Sequence, residues 1–293
     1  MDTLSSRAEE LRRARVPFVK ATVVRALHPT SAHAGDTALV HGDGVIEGFV
    51  GGTCAESSVR LHALEVLVSG EPLLLRISAG APGTTLEEGV VTVANPCLSG
   101  GSLEVFLEPV HPPARLLVVG TTPVAQALVG LGEPLGFAVE VGPVVGACEG
   151  AAAVVVASHG RGEEPALEAA LRAGVPYVGL VASRVRAAAV LASLDVEGTD
   201  RVHSPAGLDL GGRTAAEIAL SILAEVVATR ATSVPVSADP AAAPTSALDP
   251  VCGMTVAVSD AVRQAEVAGV VRYFCCEPCR AAFVADPERY AAV

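Results

Sequence analysis

Aromatic residues are scarce in this chain of 293 residues, which has six Phe, three Tyr and no Trp. Positive charge is also scarce, with 20 Lys and Arg against 32 Asp and Glu and a net charge of −12. This acidic balance argues against a general nucleic-acid binder or a binder of anionic membranes, because both usually carry basic surfaces. Hydrophobic residues still make up 51% of the chain, and much of that fraction is Ala and Val, so we expect cores built from small side chains.

Long apolar runs are missing as well. The longest candidate, AAAVVVA at 151–157, suits a buried strand and is too short to span a membrane. The N-terminal segment is polar and charged and lacks the apolar core of a signal peptide, so we predict a cytoplasmic protein. In that compartment the seven cysteines are expected to be thiols, metal ligands or reactive groups rather than disulfides.

Hydrophobic patterning predicts an α/β protein with three folded parts. Residues 7–110 mix helix and strand candidates and predict a mixed α/β N-terminal domain. Residues 114–231 alternate near-continuous apolar strands with helices, as in a Rossmann-like domain with a parallel sheet. Residues 232–248 are rich in Ala, Pro and Ser and predict a flexible linker. The remaining segment, 249–293, is small enough to need a metal, a disulfide or a partner for stability.

Three local patterns sharpen this description. Residues 7–20 predict the first helix, with Pro17 closing it. Thr214 and Glu217 fit a capping box at the start of a long helix over 214–231. His159 follows the third strand of the second domain, at the carboxyl edge where ligands of parallel sheets bind, and a solvated loop histidine is the alternative.

The stretch GGTCAESSVR at 51–60 places a thiol where a helix is predicted to start. Thr53 and Glu56 fit a capping box, with Thr53 as the N-cap and Cys54 as the first helical residue. The exposed amides and positive end of such a helix favour an anion or a thiolate. The alternative is that Cys54 only packs as a small hydrophobic residue.

A second cysteine stands beside a glycine pair in NPCLSGG, where Cys97 precedes Gly100 and Gly101. Glycines allow a ligand to approach the backbone closely, and the same reasoning applies to Gly51 and Gly52. Two such motifs in one domain predict a binding site shared by both.

The turn after the first strand of the second domain departs from the dinucleotide pattern G-x-G-x-x-G/A. Gly120 and Ala125 fit the pattern, but Thr122 replaces the middle glycine. The acidic ribose ligand expected after the second strand is also missing, since Gly142 stands there and Glu140 comes two residues earlier. The sequence therefore favours a Rossmann scaffold without a nucleotide over one that binds NAD(P).

Four cysteines lie in the last part of the chain. Cys252 is on the turn DPVCGM, and Cys275 and Cys279 are four residues apart across a strand-to-helix junction. Thiolates at such turns can converge on a soft or borderline ion, and Cys276 is either a fourth ligand or a bystander. No histidine follows His203, so a mixed Cys/His site within this part is excluded. The alternative is a small interaction module with reduced, partly buried cysteines.

The segment 249–293 resembles the YHS domain. The residues that carry the resemblance are DPVCGM at 249–254, the aromatic-rich strand ending in YFC at 273–275, and Cys279 in the following helix. The resemblance implies a zinc or copper-like ion bound by this segment.

The rest of the chain resembles the XdhC/CoxI family. The segments that carry the resemblance are GGTCAESSV, CLSGGSLEVFLEP, LLVVGTTPVAQAL, YVGLVASRVRAAAVLASL and GLDLGGRTAAEIALSILAEVVATR. The loop HPTSAHAGD departs from the family in lacking an expected arginine. Members assist maturation of molybdenum hydroxylases such as xanthine dehydrogenase and carbon monoxide dehydrogenase. They are thought to bind molybdenum cofactor, promote its sulfuration and deliver it to the apoenzyme.

The resemblance implies a maturation factor rather than a catalyst. The cofactor phosphate would lie at Gly51–Cys54, and Cys54 or Cys97 would contact or sulfurate the metal centre. Gly100, Gly101 and Gly120 would also belong to the cofactor site. Polar contacts from the second domain would come from His159, Arg184 and Arg213. Expected partners are a hydroxylase apoenzyme, a cysteine desulfurase and a second copy of the chain. Alternative functions are an NAD(P)-dependent oxidoreductase on the Rossmann scaffold and a heavy-metal carrier acting through the YHS segment.

Overall fold

A computed structural model describes residues 3–95, 101–142, 148–232 and 245–290. The chain forms two compact units, Met1–Pro112 with Ala238–Val293 and Pro113–Ser237. Cys97, Gly100 and residues 233–244 of the predicted linker lie outside the described residues. Within the described ranges, no helix is both long enough and apolar enough to cross a membrane.

The first unit contains a seven-stranded sheet and two helices in its N-terminal part. The helices are α1 (Thr3–Arg13) and α2 (Thr53–Ser69). The strands are β1 (Phe18–Leu27), β2 (Thr37–His41), β3 (Ile46–Gly48), β4 (Leu73–Ala79), β5 (Gly83–Glu87), β6 (Val90–Asn95) and β7 (Ser102–Val110). Their order in the sheet is β3-β2-β1-β7-β4-β6-β5, antiparallel except for the parallel pair β4 and β6.

Alternation of side chains along β1 creates the face on which α2 packs. Val19, Ala21 and Val23 lie on one face of the strand and are buried. They join one apolar cluster with Val59 and Ala63 of α2. The sequence prediction of a mixed α/β N-terminal domain is therefore confirmed in this unit.

Two elements of this domain differ from the sequence prediction. Helix α1 spans Thr3–Arg13 instead of 7–20, since Arg15 takes a positive φ of 59° and the chain turns before Pro17. Strand β5 was not expected, and every residue of it is exposed. An exposed edge strand shows no alternation of apolar and polar residues, so its sequence carries no strand signal.

The second unit is a parallel sheet covered by helices on both faces. Its strands are β8 (Ala114–Val119), β9 (Phe137–Val141), β10 (Ala151–Val156), β11 (Tyr177–Leu180) and β12 (Val202–His203). Its helices are α3 (Pro123–Gly132), α4 (Glu163–Arg172), α5 (Arg184–Ala192) and α6 (Ala215–Thr232). The strand order β12-β11-β10-β8-β9 is parallel throughout, which is the doubly wound arrangement.

Successive residues of the central strands pack on opposite faces of this sheet. Val154 packs in one buried cluster with Leu167 of α4, whereas Val155 packs in another with Leu128 of α3. The Rossmann-like prediction is thus confirmed. The predicted capping box before α6 is also confirmed, since the Thr214 amide donates to Glu217 Oε2 at 2.9 Å and the Glu217 amide to Thr214 Oγ1 at 3.2 Å.

Gly120 is required by backbone packing at the switch point of this sheet. It has φ = 119°, and a Cβ there would lie 2.3 Å from the carbonyl oxygen of Ala157. We expect Gly120→Ala to destabilise the second unit by roughly 1–3 kcal/mol, because both the strained φ and the contact must be relieved. Hydrogen exchange at the β8 amides measures this loss.

Gly130→Ala is the matched control for this prediction. Gly130 lies inside α3, where a Cβ would meet nothing within 4 Å. Alanine there should be neutral or stabilise by about 0.5–1 kcal/mol, since glycine costs more conformational entropy in a helix. Equal effects of the two substitutions would contradict the packing role of Gly120.

Residues 245–290, here called the C-terminal segment, pack within the first unit. Their elements are β13 (Ser246–Leu248), β14 (Thr255–Ala257), β15 (Arg263–Val267), β16 (Val270–Phe274) and α7 (Glu277–Ala285). Strand β13 pairs with β14 and occupies the last three residues of the predicted linker, so that boundary is corrected. The segment was predicted as a separate module, but Ala257 and Val262 share a buried cluster with Leu61 and Leu64 of α2.

Candidate functional site

A cavity of about 560 Å³ opens beside the start of α2. Its walls come from the loop after β1, the first turn of α2, and residues of β4 and β7. The lining residues are His28, Pro29, Thr30, Ser31, Gly52, Thr53, Cys54, Ala55, Ile77, Gly101 and Leu103. A volume of this size falls within the range that cofactor sites occupy, roughly 300–1,000 Å³.

The start of α2 differs from the prediction by one residue. Helix α2 begins at Thr53, its N-cap is Gly52 in an extended conformation, and no side chain caps it. The predicted capping box of Thr53 and Glu56 is therefore wrong, and the Glu56 amide instead donates to the Gly52 carbonyl at 3.0 Å. Gly52 has no side chain with which to cap the helix, and the first residues of α2 line the cavity, so the positive end of the helix lies beside a space that an anion could occupy.

The glycines of this site have different roles. A Cβ on Gly101 would lie 2.1 Å from the carbonyl oxygen of Pro29, so this glycine lets β7 pass close to the loop after β1. Gly51 has φ = 127° and packs against Leu103 and Ala55. A Cβ on Gly52 would meet nothing within 4 Å, so this position faces open space. Gly51, Gly52 and Gly101, which were predicted to belong to the site, thus shape and open the cavity.

Four cysteines of the C-terminal segment converge around Cys275. Its Sγ lies 3.6 Å from that of Cys252, 3.5 Å from that of Cys276 and 3.8 Å from that of Cys279. All six cysteines of the described ranges are thiols rather than disulfide halves. The sulfurs of Cys252, Cys275 and Cys279, with a carboxylate oxygen of Asp249, all lie within 4.8 Å of one another, which suits ligands of one metal ion, whereas Cys276 falls in a different group.

Asp249 lies in the same cluster, but its carboxylate is already engaged. It is completely buried and accepts hydrogen bonds from the amide of Val251 at 2.9 Å and from the amide of Cys275 at 2.9 Å. These bonds fix the DPVCGM turn against the start of α7. We therefore assign Asp249 the role of holding the cysteines in place.

The thiols of this cluster differ in acidity. A hydrogen bond from the Cys275 thiol lowers the pKa of Cys252, and the amide of Met254 adds to this effect. The pKa values of Cys275 and Cys279 are raised, the first mainly by its bond to Cys252 and the second mainly by burial. Of these three thiols, Cys252 is therefore the one that loses its proton most readily.

Cys54 belongs to the cavity and to the cysteine cluster at once. Its sulfur, with those of Cys275 and Cys276, forms a group whose atoms all lie within 4.8 Å of one another. Cys54 is half-buried, and it packs with Met254 and Val256 of the C-terminal segment. Sequence reasoning missed this convergence, because the two cysteine motifs are separated by more than half the chain.

The predicted site residues of the second unit lie at the ends of its strands and helices. Gly120 and His159 follow the adjacent parallel strands β8 and β10, which is the predicted carboxyl edge. Arg184 is exposed at the first residue of α5, and Arg213 is exposed just before α6. Their roles in binding remain predictions.

A buried ion pair that the sequence did not reveal holds the loop containing His159. Glu163 is 1% exposed and pairs with Arg186, while its Oε1 accepts from the Gly160 amide at 2.7 Å and from the Ser158 hydroxyl at 3.3 Å. Burial raises the pKa of Glu163, but these hydrogen bonds outweigh it and leave that pKa below its usual value. Its sequence context, GEEPALE, reads as an ordinary acidic first turn of a helix.

Comparison with known proteins identifies the family. A model of the XdhC and CoxI family matches residues 11–78, and a model of the XdhC Rossmann domain matches residues 116–226. The chain therefore belongs to the XdhC/CoxI family. Both matches end before residue 249, so the YHS assignment of the C-terminal segment stays a prediction.

Two relatives are known from Escherichia coli K12. The uncharacterized protein YqeB is 27% identical over 252 residues, covering 75% of this chain and 45% of YqeB, so the chain spans about half of that relative. The molybdenum cofactor insertion chaperone PaoD is 27% identical over 244 residues, covering 66% of this chain and 77% of PaoD. A crystal structure described as a xanthine dehydrogenase from Bacillus halodurans is 16% identical and covers 81% of this chain and 98% of its own, with a TM-score of 0.41.

Proposed function

We propose that the protein is a maturation chaperone that binds molybdenum cofactor and assists its sulfuration and insertion into a hydroxylase of the xanthine dehydrogenase or carbon monoxide dehydrogenase type. The observation that carries the proposal is the cavity beside the start of α2, with Cys54 on its wall. The relationship to PaoD, whose name describes insertion of this cofactor, supports the same reading. The cofactor is cargo here, and the hydroxylase apoenzyme is the partner that receives it.

The wall of the cavity offers groups that suit both the phosphate and the metal centre of molybdenum cofactor. Molybdenum cofactor carries a terminal phosphate, and the start of α2 after Gly52 offers the positive end of a helix to it. Cys54 is the second residue of that helix, so its thiol stands beside the same helix end. We assign Cys54 the contact with the metal centre, and a cysteine desulfurase the supply of sulfur.

Two observations favour this function over an NAD(P)-dependent oxidoreductase. Thr122, which stands at the middle glycine position of the dinucleotide pattern, places its side chain at the start of α3, where its hydroxyl accepts from the Ala125 amide at 3.2 Å and donates to the Ala157 carbonyl at 2.9 Å. Glu140, the nearest acid to the expected ribose position, accepts from Arg115 through both carboxylate oxygens at 2.9 Å. This geometry resembles a structural ion pair more than a ribose site.

The test is native mass spectrometry of the full chain purified from a molybdenum-replete host. We expect the wild-type protein to carry a pterin mass, and Gly52→Val to lose it because the added methyl groups enter the open space before α2. Cys54→Ala should bind less pterin or bind it without contact to molybdenum. Bound NAD(P) with no pterin would overturn the proposal.

Cys148→Ala is the matched thiol control. Cys148 is buried in the second unit, in an apolar cluster that contains Val154 and Leu167. Its substitution removes a thiol without touching the cavity, so the pterin mass should persist. Loss of pterin in both cysteine variants would mean that reduced stability, rather than the cavity, explains the result.

A further inference from the structure

We propose that Cys54, Cys275 and Cys276 together form a three-sulfur site for a soft monovalent ion of the Cu(I) class. The site joins the N-terminal domain to the C-terminal segment and differs from the cysteine set within that segment alone. Metal binding there would draw the Cys54 thiol out of the cavity and fasten the C-terminal segment over the start of α2. The metal site itself does not depend on the proposed cofactor function.

Packing of the C-terminal segment on α2 sets the position of the three sulfurs. Leu61 and Leu64 on one side of α2 are buried against Ala257 and Val262, so the segment lies along the helix. Cys54 stands two turns before Leu61 on the same helix, where it meets the strand-to-helix junction that carries Cys275 and Cys276. The convergence is therefore anchored by an apolar contact outside the cysteines.

The number of donors points to a particular class of ion. The sulfurs of Cys54, Cys275 and Cys276 lie within 4.8 Å of one another, and those of the last two are 3.5 Å apart. Thiolate sulfur selects soft ions, and Cu(I) accepts three such ligands, whereas a structural zinc ion takes four. Asp249 belongs to the group with Cys252, Cys275 and Cys279, so the group of Cys54, Cys275 and Cys276 offers sulfur alone.

Helix starts lie beside two of the three sulfurs, those of Cys54 and Cys276, and favour the charged form of these two thiols. Cys54 lies in the first turn of α2, and Cys276 is the N-cap of α7 without a side-chain capping bond. The positive ends of both helices stabilise thiolates. Cys275 and Cys276 are 2% and 7% exposed, so a buried cation would compensate their charge where water cannot.

Cys275 is shared by the two groups of cysteines. It also lies within metal-ligand distance of Cys252 and Cys279, the pair that completes the set expected from the sequence. A thiolate can bridge two soft ions, so occupancy of one group does not exclude the other. The role of Cys54 must therefore be tested separately from that of Cys252 and Cys279.

Because Cys54 lies both on the cavity wall and in the cysteine cluster, an ion bound in the cluster would also affect the cavity. A thiolate bound to an ion in the cysteine cluster is not available to a molecule in the cavity, so a copper-class ion would switch the Cys54 thiol between two uses. This consequence, unlike the metal site, rests on the proposed function.

The experiment loads the reduced full chain with Cu(I) under anaerobic conditions. Native mass spectrometry counts bound copper, and alkylation followed by peptide mass spectrometry reports the reactivity of Cys54. We expect the wild-type protein to bind one more Cu(I) than Cys54→Ser or Cys276→Ser, and Cu(I) to slow Cys54 alkylation by about tenfold or more. In Cys276→Ser that protection should vanish although Cys252, Cys275 and Cys279 remain.

Cys148→Ser serves as the control, because its thiol lies in the second unit outside the cluster. It should keep the copper count and the protection of Cys54. The proposal would be overturned if the wild type and Cys54→Ser bound equal numbers of copper ions and Cu(I) did not change the alkylation rate of Cys54 in the wild type. A disulfide joining Cys54 to Cys275 or Cys276 in place of bound copper would also overturn it. Because no pterin enters these measurements, their failure is distinguishable from failure of the proposed function.

Discussion

If the predicted metal ion binds the cysteine cluster, its removal is expected to unfold the C-terminal segment and leave the seven-stranded sheet folded. The segment has a small apolar core, and its buried apolar side chains, cysteines aside, are Met254, Val256, Ala257, Val262, Phe274 and Phe283. A core of this size rarely stabilises a fold alone. Structural zinc contributes about 10–16 kcal/mol in comparably small units, so this is the largest effect we expect.

The change is Cys252→Ser combined with Cys279→Ser, or chelation of the wild-type protein. Hydrogen exchange read by mass spectrometry should show lost protection in β14 and β16 and unchanged protection in β1 and β7. Cys148→Ala is the control and should leave both regions protected. If the metal-free segment keeps its protection, its contacts with Leu61 and Leu64 suffice and the metal is not structural.

Helix α2 shows what the sequence contained and what it did not reveal. Val59, Ala63 and Val66 face the sheet, and Leu61 and Leu64 form a second apolar stripe on another side of the helix. A helix with two apolar stripes must be covered twice. The sequence therefore held a signal that something packs on the second stripe, but not that residues 245–290 do so.

The composition of the predicted linker explains why this partner was missed. Residues 232–248 carry no apolar periodicity, so they suggested a module independent of the first domain. Long-range packing depends on complementary surfaces that no local pattern encodes. The contact between Cys54 and the cysteines of the segment follows from that packing, which is why the candidate site was only half predicted.

The second domain was more accessible to prediction because its signals are local. Its parallel strands are short apolar runs, and each is recognisable without knowing its neighbours. The error at α2 was local too. Gly51 takes φ = 127° and turns the chain one residue earlier than the Thr-x-x-Glu pattern implied, so the extended N-cap conformation falls on Gly52.

The second large effect is expected from Arg186→Ala. This change leaves the Glu163 carboxylate, only 1% exposed, without its cationic partner, and the amide of Gly160 and the hydroxyl of Ser158 remain its donors. Leaving a buried charge without its partner costs about 3–5 kcal/mol, and because two donors remain on Glu163, the second unit should lose roughly 3 kcal/mol of stability at neutral pH. Chemical denaturation read by hydrogen exchange in β10 and β11 measures the loss.

Two controls separate the buried charge from the loss of a side chain. Arg172→Ala removes a half-exposed arginine whose partner Glu168 lies one turn away on α4, and should cost about 1 kcal/mol or less. Combining Glu163→Gln with Arg186→Ala removes the charge itself, so the double variant should be more stable than Arg186→Ala alone. If it is not, the cost does not come from the buried carboxylate.

The pH dependence gives the sharpest form of this prediction. In the wild-type protein the pKa of Glu163 lies below its usual value, so its stabilising contribution is present above the unfolded pKa and is lost as pH falls through the folded pKa. In Arg186→Ala the opposing effect of burial, which raises the pKa, prevails. The carboxylate then destabilises the fold at neutral pH and is relieved by protonation as pH falls toward about 4. The stability difference between the two proteins should therefore shrink from about pH 7 to about pH 4, and a constant difference would contradict the assigned role of the ion pair.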